Sequence, residues 1–326
     1  MGTNDVIAIT GAAGFIGSYL TGFLNRMGFE QLVLVDDFSQ ERKTANLMNK
    51  KCVHRVHREQ FFEWTKNHPG YINYMFHLGA RTDTTEMNYE VHKKWNLDYS
   101  RSIWDFCSNE NIPLVYASSA ATYGNGELGY KDDHHIINQL VPLNPYGKSK
   151  NDFDIWALDQ KNEPPFWAGV KFFNVYGPNE YHKGRMASVI FHAFHQIKEK
   201  GSVKLFRSHN PNYKDGEQIR DFVYVKDVVT MCVWLMENMP TNGLYNVGSG
   251  KARTFKDLVN AIFATLELPS NIEFMDTPED IRDKYQYFTE ADMTKMKAAG
   301  YPNTSYTLEE GVREYVKEFL DKGGCY

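Results

Sequence analysis

Apolar and polar positions follow two different periods along the first half of the chain. The runs "VIAIT" (6–10), "QLVLVDD" (31–37), "YMFHLGA" (74–80) and "PLVYASS" (113–119) are short and mostly apolar. That is expected of strands buried on both faces. Between them lie stretches of helical period, "FIGSYLTGFLNRMG" after the first run and 91–110 before the fourth. Such alternation predicts parallel strands joined by crossover helices, an α/β fold with a doubly wound parallel sheet. Further on, "WAGVKFFNVYG" (167–177) predicts another strand, 220–239 a strand followed by a helix, and "GLYNVGSG" (243–250) a strand ending in glycines. The remainder is more polar and irregular, with helical stretches near 254–267 and 307–321. It predicts a smaller unit over the carboxyl ends of the sheet.

Bulk properties narrow the function classes. The 326 residues have normal globular composition, with 42% hydrophobic and 24% charged residues. The net charge is −5, so no basic field exists to hold nucleic acid or an anionic membrane. Cys52, Cys107, Cys232 and Cys325 are scattered without a CxxC pair, which predicts reduced thiols and a cytoplasmic location. No signal peptide and no run of 18 apolar residues is expected. "KDDHH" (131–135) mixes two Asp with two His but reads as a polar surface loop, with no metal expected.

Two motifs carry chemistry. "TGAAGFIG" follows the first strand and opens the first helix, with Gly11, Gly14 and Gly17 spaced GxxGxxG. Glycine lets the backbone approach a pyrophosphate closely, and the helix start offers free N–H groups to it. Asp36 closes the second strand, where a carboxylate accepts from the adenosine ribose and favours NAD. Arg42, Lys43 and Arg58 follow and could neutralise a 2′-phosphate, so the residues alone leave NAD and NADP both open. Downstream, "NPYGKSK" (144–150) sets Tyr146 and Lys150 four apart on one helix face. The Lys150 charge is expected to lower the Tyr146 phenol pKa, and Ser119, at the end of "ASS", to hydrogen-bond the same substrate oxygen. Together these suit hydride transfer between a carbinol and a nicotinamide. The domain division then follows: 1–173, with 221–247 returning to it, as the dinucleotide-binding unit, and 174–220 with 248–326 as the substrate unit.

"TGAAGFIG", "SSAATYG" and "YGKSK" resemble the extended short-chain dehydrogenase/reductase superfamily, a Rossmann-fold group that modifies nucleotide-linked sugars, over nearly the whole chain. Dehydratases of that group carry an Asp-Glu pair where this chain has Ala120 and Ala121, so elimination of water is not expected. "HKGRMASVIFH", "KLF" (204–206), "RDFVYVKDV", "YNVGSGKARTF", "YQYFTEADM" and "AAGY" are similar to the ADP-glycero-manno-heptose 6-epimerase family in particular. That resemblance implies epimerisation at C6 of an ADP-linked heptose, in supply of lipopolysaccharide core precursors. The alternatives are another nucleotide-sugar 4-epimerase or a net reductase. It implies Tyr146 and Lys183 as the two acid/base groups, with a pyrophosphate clamp as the other role open to Lys183. For the cofactor it implies Phe15, Ile16, Asp37, Leu78, Gly79, Ala80, Arg81, Asn96 and Val175, with Lys43 and Arg58 pointing to NADP. For the sugar nucleotide it implies Asn174, His182, His192, Phe206, Arg220 and Tyr285, and for assembly a homo-oligomer, with a pentamer the suggested size. The chain departs from the family's pattern in a longer segment at 207–222, in Leu78 where an acidic residue is common, and in Asp37 where asparagine is common.

Overall fold

The computed structural model describes residues 1–282, 285–302 and 305–326. Its first half runs β1 (Ile7–Thr10), α1 (Phe15–Arg26), β2 (Leu32–Asp36), β3 (His54–His57), α2 (Phe61–Lys66), β4 (Tyr74–His77), α3 (Tyr89–His92), α4 (Tyr99–Asn109), β5 (Leu114–Ser119), α5 (Pro145–Leu158) and β6 (Trp167–Phe172). The second half runs β7 (Asn174–Tyr176), α6 (Val189–Lys200), β8 (Val203–Phe206), β9 (Ile219–Arg220), β10 (Phe222–Tyr224), α7 (Val225–Asn238) and β11 (Gly243–Val247). It closes with β12 (Arg253–Thr254), α8 (Phe255–Thr265), β13 (Ile272–Met275), α9 (Glu279–Arg282), α10 (Thr294–Ala298) and α11 (Leu308–Glu314).

Seven strands form the central sheet in the order β3-β2-β1-β4-β5-β6-β11, and every pairing in it is parallel. The chain order reverses between β1 and β4, the switch point at which such sheets bind ligands. Strands β1, β2 and β5 are buried along their whole length, which explains why their sequences are runs rather than alternations.

The 167–177 run is not one strand. It leaves the central sheet at Phe173, and β7 pairs with β10 in a separate two-stranded sheet. The break lets Asn174 and Val175 turn toward the carboxyl ends of the strands. Further two-stranded pairs, β9 with β12 and β8 with β13, organise the later material. "KDDHH" lies at the surface as expected, with Lys131, Asp133 and His135 exposed, but two of its side chains turn inward. Asp132 is buried and accepts from Asn246 N at 2.8 Å, while the His134 ring lies 3.0 Å from Leu244 N. The segment therefore braces β11, the far edge of the sheet. No helix among the described residues is long and apolar enough to cross a membrane.

A buried ion pair locks α5 against the sheet. Asp154 and Lys171 are both fully buried and 2.6 Å apart. Asp154 also accepts from Tyr116 Oη at 3.1 Å and Ser118 Oγ at 2.6 Å, and Lys171 donates to Thr122 Oγ1 at 2.8 Å. Each charge has the extra hydrogen bonds that burial demands. Lys171→Met removes one charge and leaves the other stranded. The expected loss is about 3–5 kcal/mol of unfolding free energy, measured as a shift of the urea midpoint.

Candidate active site

The first glycine turn is built by contact. Gly11 has φ +68°, and a Cβ there would lie 2.7 Å from the Gly79 backbone. A Cβ on Gly17 would lie 2.2 Å from the Gly11 carbonyl oxygen. Only bare backbone fits at both positions, so the turn, the start of α1 and the loop after β4 close into one cradle. Gly14 caps the N-terminus of α1. Asp36 holds the cradle from β2, accepting from Ala13 N at 2.8 Å, Asp37 N at 2.7 Å and Lys43 Nζ at 3.1 Å. Its carboxylate is thus already engaged in shaping the turn, a duty that the ribose role does not include.

The loop after β4 is pinned in turn by Asn96. This fully buried residue accepts from Arg81 N at 2.7 Å and donates to Arg81 O at 3.0 Å and Ser149 Oγ at 2.9 Å. One side chain thereby ties residues 78–81 to α5. The Arg81 side chain itself turns outward to Asp83 at 3.4 Å.

Helix α5 starts where its sequence says it should. Asn144 Oδ1 accepts from Gly147 N at 2.8 Å, and Pro145 occupies the first helical turn. Tyr146 and Lys150 then face the end of β5. Lys150 is buried and donates from Nζ to Ala117 O at 2.8 Å. Burial lowers its pKa to about 8, against the opposing pull of Asp154. Burial also pushes the Tyr146 phenol above its ordinary value, and a hydrogen bond from Ser119 pulls it back in part. The net shift is therefore opposite to the lowering expected from Lys150: desolvation dominates and the Asp154 charge adds to it. Ser119 accepts from Ala121 N at 3.1 Å, which orients its hydroxyl.

One cleft gathers most of these groups. It is lined by Phe15, Ile16, Leu78, Ala80, Ser119, Tyr146, Lys150, Val175 and Lys183, together with Thr82, Ala117, Ser118, Phe172 and Phe173, which the motifs did not single out. Lys183 reaches it from the short turn Tyr181–Met186, its Nζ 5.4 Å from the centre of the Phe15 ring. Burial lowers its pKa, and Glu180 opposes the shift.

Other candidates stand apart from that cleft. His182 turns to Asn46, its Nδ1 3.2 Å from Asn46 Nδ2, and burial lowers its pKa to about 4. Arg220 is buried beside the Tyr285 and Phe255 rings, 5.4 and 5.7 Å from their centres, and Phe206 packs edge-on to Tyr285 at 6.2 Å. Its guanidinium donates to the carbonyls of Ile219, at 2.9 Å, and Gln286. Asn174 connects this cluster to the cleft, since its N–H bonds Asp221 O at 3.0 Å and Val175 follows it. His192 lies on α6 against Phe191 and does not line the cleft. At the end of β2, Asp37 accepts from Ser39 Oγ at 2.6 Å and stands 3.7 Å from Arg58. Those bonds, Ser39 foremost, lower its pKa to about 2. The Arg58 guanidinium also stacks 3.9 Å above the Trp95 ring. Sequence reasoning missed His92, buried with its ring edge-on to Tyr146 at 6.2 Å, and Asn46, which donates to Ala13 O and Asn179 O at 3.0 Å each. Neither sits in a motif.

A glycine cradle at a helix start, a strand-end serine and a Tyr–Lys pair on a helix are brought together, an arrangement able to hold a dinucleotide beside groups that can move a proton. The model of the NAD dependent epimerase/dehydratase family matches residues 7–248. The chain belongs to that family. Within it, the chain is 45% identical to the ADP-L-glycero-D-manno-heptose-6-epimerase of Fusobacterium nucleatum, over 98% of this chain and 100% of the relative. It is 47% identical to that of Nitratidesulfovibrio vulgaris strain DP4, over 96% and 97%. A crystal structure of the Helicobacter pylori ADP-L-glycero-D-manno-heptose-6-epimerase superposes with a TM-score of 0.80 at 27% identity, covering 97% of this chain and 96% of the other. A UDP-N-acetylglucosamine 4-epimerase from Methanobrevibacter ruminantium reaches 0.82 at 23% identity over 98% and 99%, a likeness of fold alone.

The cradle fits the nicotinamide cofactor of the family, because the backbone contacts at Gly11 and Gly17 exclude any Cβ and keep the turn before α1 tight enough for a pyrophosphate to approach the helix start. Gly17→Ala is expected to fold but to lose dinucleotide by at least about tenfold in affinity. The absorbance ratio of the purified protein and titration with added cofactor measure this.

Proposed function

We propose that this chain inverts C6 of the heptose in ADP-D-glycero-D-manno-heptose to give ADP-L-glycero-D-manno-heptose, with a retained nicotinamide dinucleotide. The observation that carries the reading is Lys183. It brings a second proton-handling group into the cleft of Tyr146, Ser119 and Lys150, from a different element. A 2-electron oxidation and its reversal on one face need only one such group; inversion needs the ketone to turn in the site, and a second group serves the oxygen once it has turned.

The bound nicotinamide supplies the store for the C6 hydrogen as hydride. The protein's own residues handle the protons. Tyr146 Oη takes the C6 hydroxyl proton of one epimer, with Ser119 Oγ holding that oxygen and Lys150 beneath the pair. Rotation about C5–C6 presents the opposite carbonyl face without release of the sugar. Lys183 Nζ then gives the new hydroxyl its proton, and the reverse direction exchanges the two roles. Arg220 is suited to a phosphate of the sugar nucleotide once its guanidinium exchanges backbone carbonyls for it. Ala120 and Ala121, which follow Ser119, offer no acid or base for eliminating water.

The cofactor we propose is NADP, on Lys43 in the turn after β2 and Arg58 directly after β3. Each cation already faces a carboxylate, Asp36 or Asp37, so a 2′-phosphate must compete for both. The same reading places the chain in the cytoplasm as a homo-oligomer. The reduced state of its four cysteines, all free in the structure, is in keeping with that location.

Two tests follow from this reading. Tyr146→Phe and Lys183→Met should each slow epimerisation at least about 100-fold while retaining dinucleotide, as read by proton NMR of ADP-heptose without added NADPH. Near-normal inversion by Lys183→Met would sink the two-base reading. Asp37→Asn should shift cofactor preference toward NADP by about tenfold, and Lys43→Ala should shift it toward NAD. Competitive titration with the two dinucleotides measures both.

A further inference from the structure

Lys183 rides on a loop that a single buried side chain holds closed. The loop runs from Gly177 to Ser188, between β7 and α6. Glu180, inside it and fully buried, accepts from Gly177 N at 3.4 Å at one end. At the other end it accepts from Ser188 N and, at 2.7 Å, from Ser188 Oγ. Ser188 is the N-cap of α6, so the carboxylate lies at that helix's positive end. Tyr315 Oη donates to it at 3.0 Å from beyond α11 and ties the loop to the C-terminal material. Lys183 N bonds Glu180 O at 2.9 Å, which fixes the lysine one turn beyond the carboxylate.

The loop is also moored on its other side. Asn179 sits at φ 77°, fully buried, with its side chain donating to Ser18 Oγ on α1 at 3.0 Å. Its side-chain oxygen accepts from Tyr326 N at 2.9 Å, and its carbonyl accepts from Asn46. Such mooring fixes backbone position, and leaves Glu180 as the anion within the loop.

We propose that Glu180 is a positioning residue for the reaction: its carboxylate clasps both ends of the 177–188 loop and stands as the buried counter-charge of Lys183. The inference rests on the acid/base reading of Lys183. It deepens that reading, because an ammonium drawn into an apolar cleft loses its proton too readily unless an anion stands nearby. The charged and titratable neighbours are few. Lys183 shares its cleft with Lys150 and Tyr146 on α5 and with the Phe15 ring on α1, and has His182 and Arg185 on its own turn. Arg42 and Lys43 from the loop after β2 act on His182. Asp83 from the loop after β4 feels Arg185. Glu180 itself is met by Tyr315 and Lys183, with Tyr181 acting on Tyr315. Burial raises the Glu180 carboxyl above its ordinary value, and the hydrogen bonds from Ser188 and Tyr315 and the Lys183 charge oppose that rise in part.

The sign is definite. Removing the anion lowers the Lys183 pKa further, so the pH limb that reports Lys183 moves to lower pH in either direction of epimerisation. Glu180→Gln in the full-length holoenzyme should shift that limb down by about one pH unit, equivalent to about tenfold in proton occupancy at fixed pH. KM should stay near the wild-type value and the limb reporting Tyr146 should not move. Glu180→Asp keeps the charge, so its limb should stay in place while kcat falls about tenfold from a slackened loop. In a Lys183→Met background, Glu180→Gln should add no further loss. A uniform loss at all pH values in Glu180→Gln, or an added loss in the double variant, overturns the inference. Should Glu180→Gln not fold, Glu180→Asp decides: an acid-shifted limb despite the retained charge overturns it. An active Lys183→Met enzyme sinks the underlying reading instead, and so distinguishes the two failures.

Discussion

The site depends on one buried carboxylate, that of Asp154. Tyr146, Lys150 and Asp154 are spaced four apart on α5, so they form a single stripe facing the sheet. The last of the three is bolted down. Tyr116 and Ser118 on β5 and Lys171 on β6 all donate to it. With that end of the stripe fixed against two strands, the other end is delivered to the carboxyl edge of β5, where Ser119 sits. The helix cap at Asn144 sets where α5 starts, and Asp154 sets how it lies. Neither alone would bring a phenol to a strand-end serine. The same negative charge reaches forward electrostatically, opposing the desolvation of Lys150 and reinforcing that of Tyr146.

A comparable device stands behind Lys183, the second group that we propose to handle a proton. There the buried anion is Glu180 and the bolts are backbone N–H groups, Ser188 and Tyr315. In both places a lysine enters a cleft with apolar walls while a carboxylate sits behind it, away from the substrate. Such an arrangement keeps a cation chargeable without offering it a direct ion pair that would hold it in one state. Lys150, which must stay under the tyrosine, is tied to the Ala117 carbonyl. Among the described residues Lys183 Nζ donates no hydrogen bond and meets an aromatic face at 5.4 Å, a softer hold than that of Lys150.

Much of this was legible in the chain itself. Strands β1, β2, β4 and β5 and their parallel, helix-linked arrangement followed from period and alternation, whereas the edge strand β3 was hidden by its polar sequence; the glycine spacing announced the cradle because only glycine survives contacts as close as those at Gly11 and Gly17. "NPYGKSK" was legible for the same kind of local reason: cap, first-turn proline and a four-residue spacing all act within one turn of helix. What stayed hidden depends on long-range partners. Asp154 reads as an ordinary helix acid until β5 and β6 are laid beside it. Glu180 reads as one charge in a polar run until Gly177, Ser188 and Tyr315 close around it. Asp36 was legible as a strand-end carboxylate but not as the brace that holds Ala13 and Lys43. The split of 167–177 at Phe173 was hidden too, because residues on both sides are equally strand-forming and only the pairing with β10 separates them.

That split is what brings Lys183 to the cleft. Had β6 run on to Tyr176 in the central sheet, the loop after it would have opened over the sheet edge beside β11. Instead the chain steps out at Phe173, pairs β7 with β10, and so carries Gly177 across toward α1. Asn179 completes the crossing by docking on Ser18 of α1 and beneath Asn46. Lys183 consequently approaches from the side of the glycine cradle, whereas Tyr146 approaches from α5. Lys183 and Tyr146 thus sit on elements that flank the same strand ends and meet one cleft from different sides, an arrangement traced to a strand that ends early.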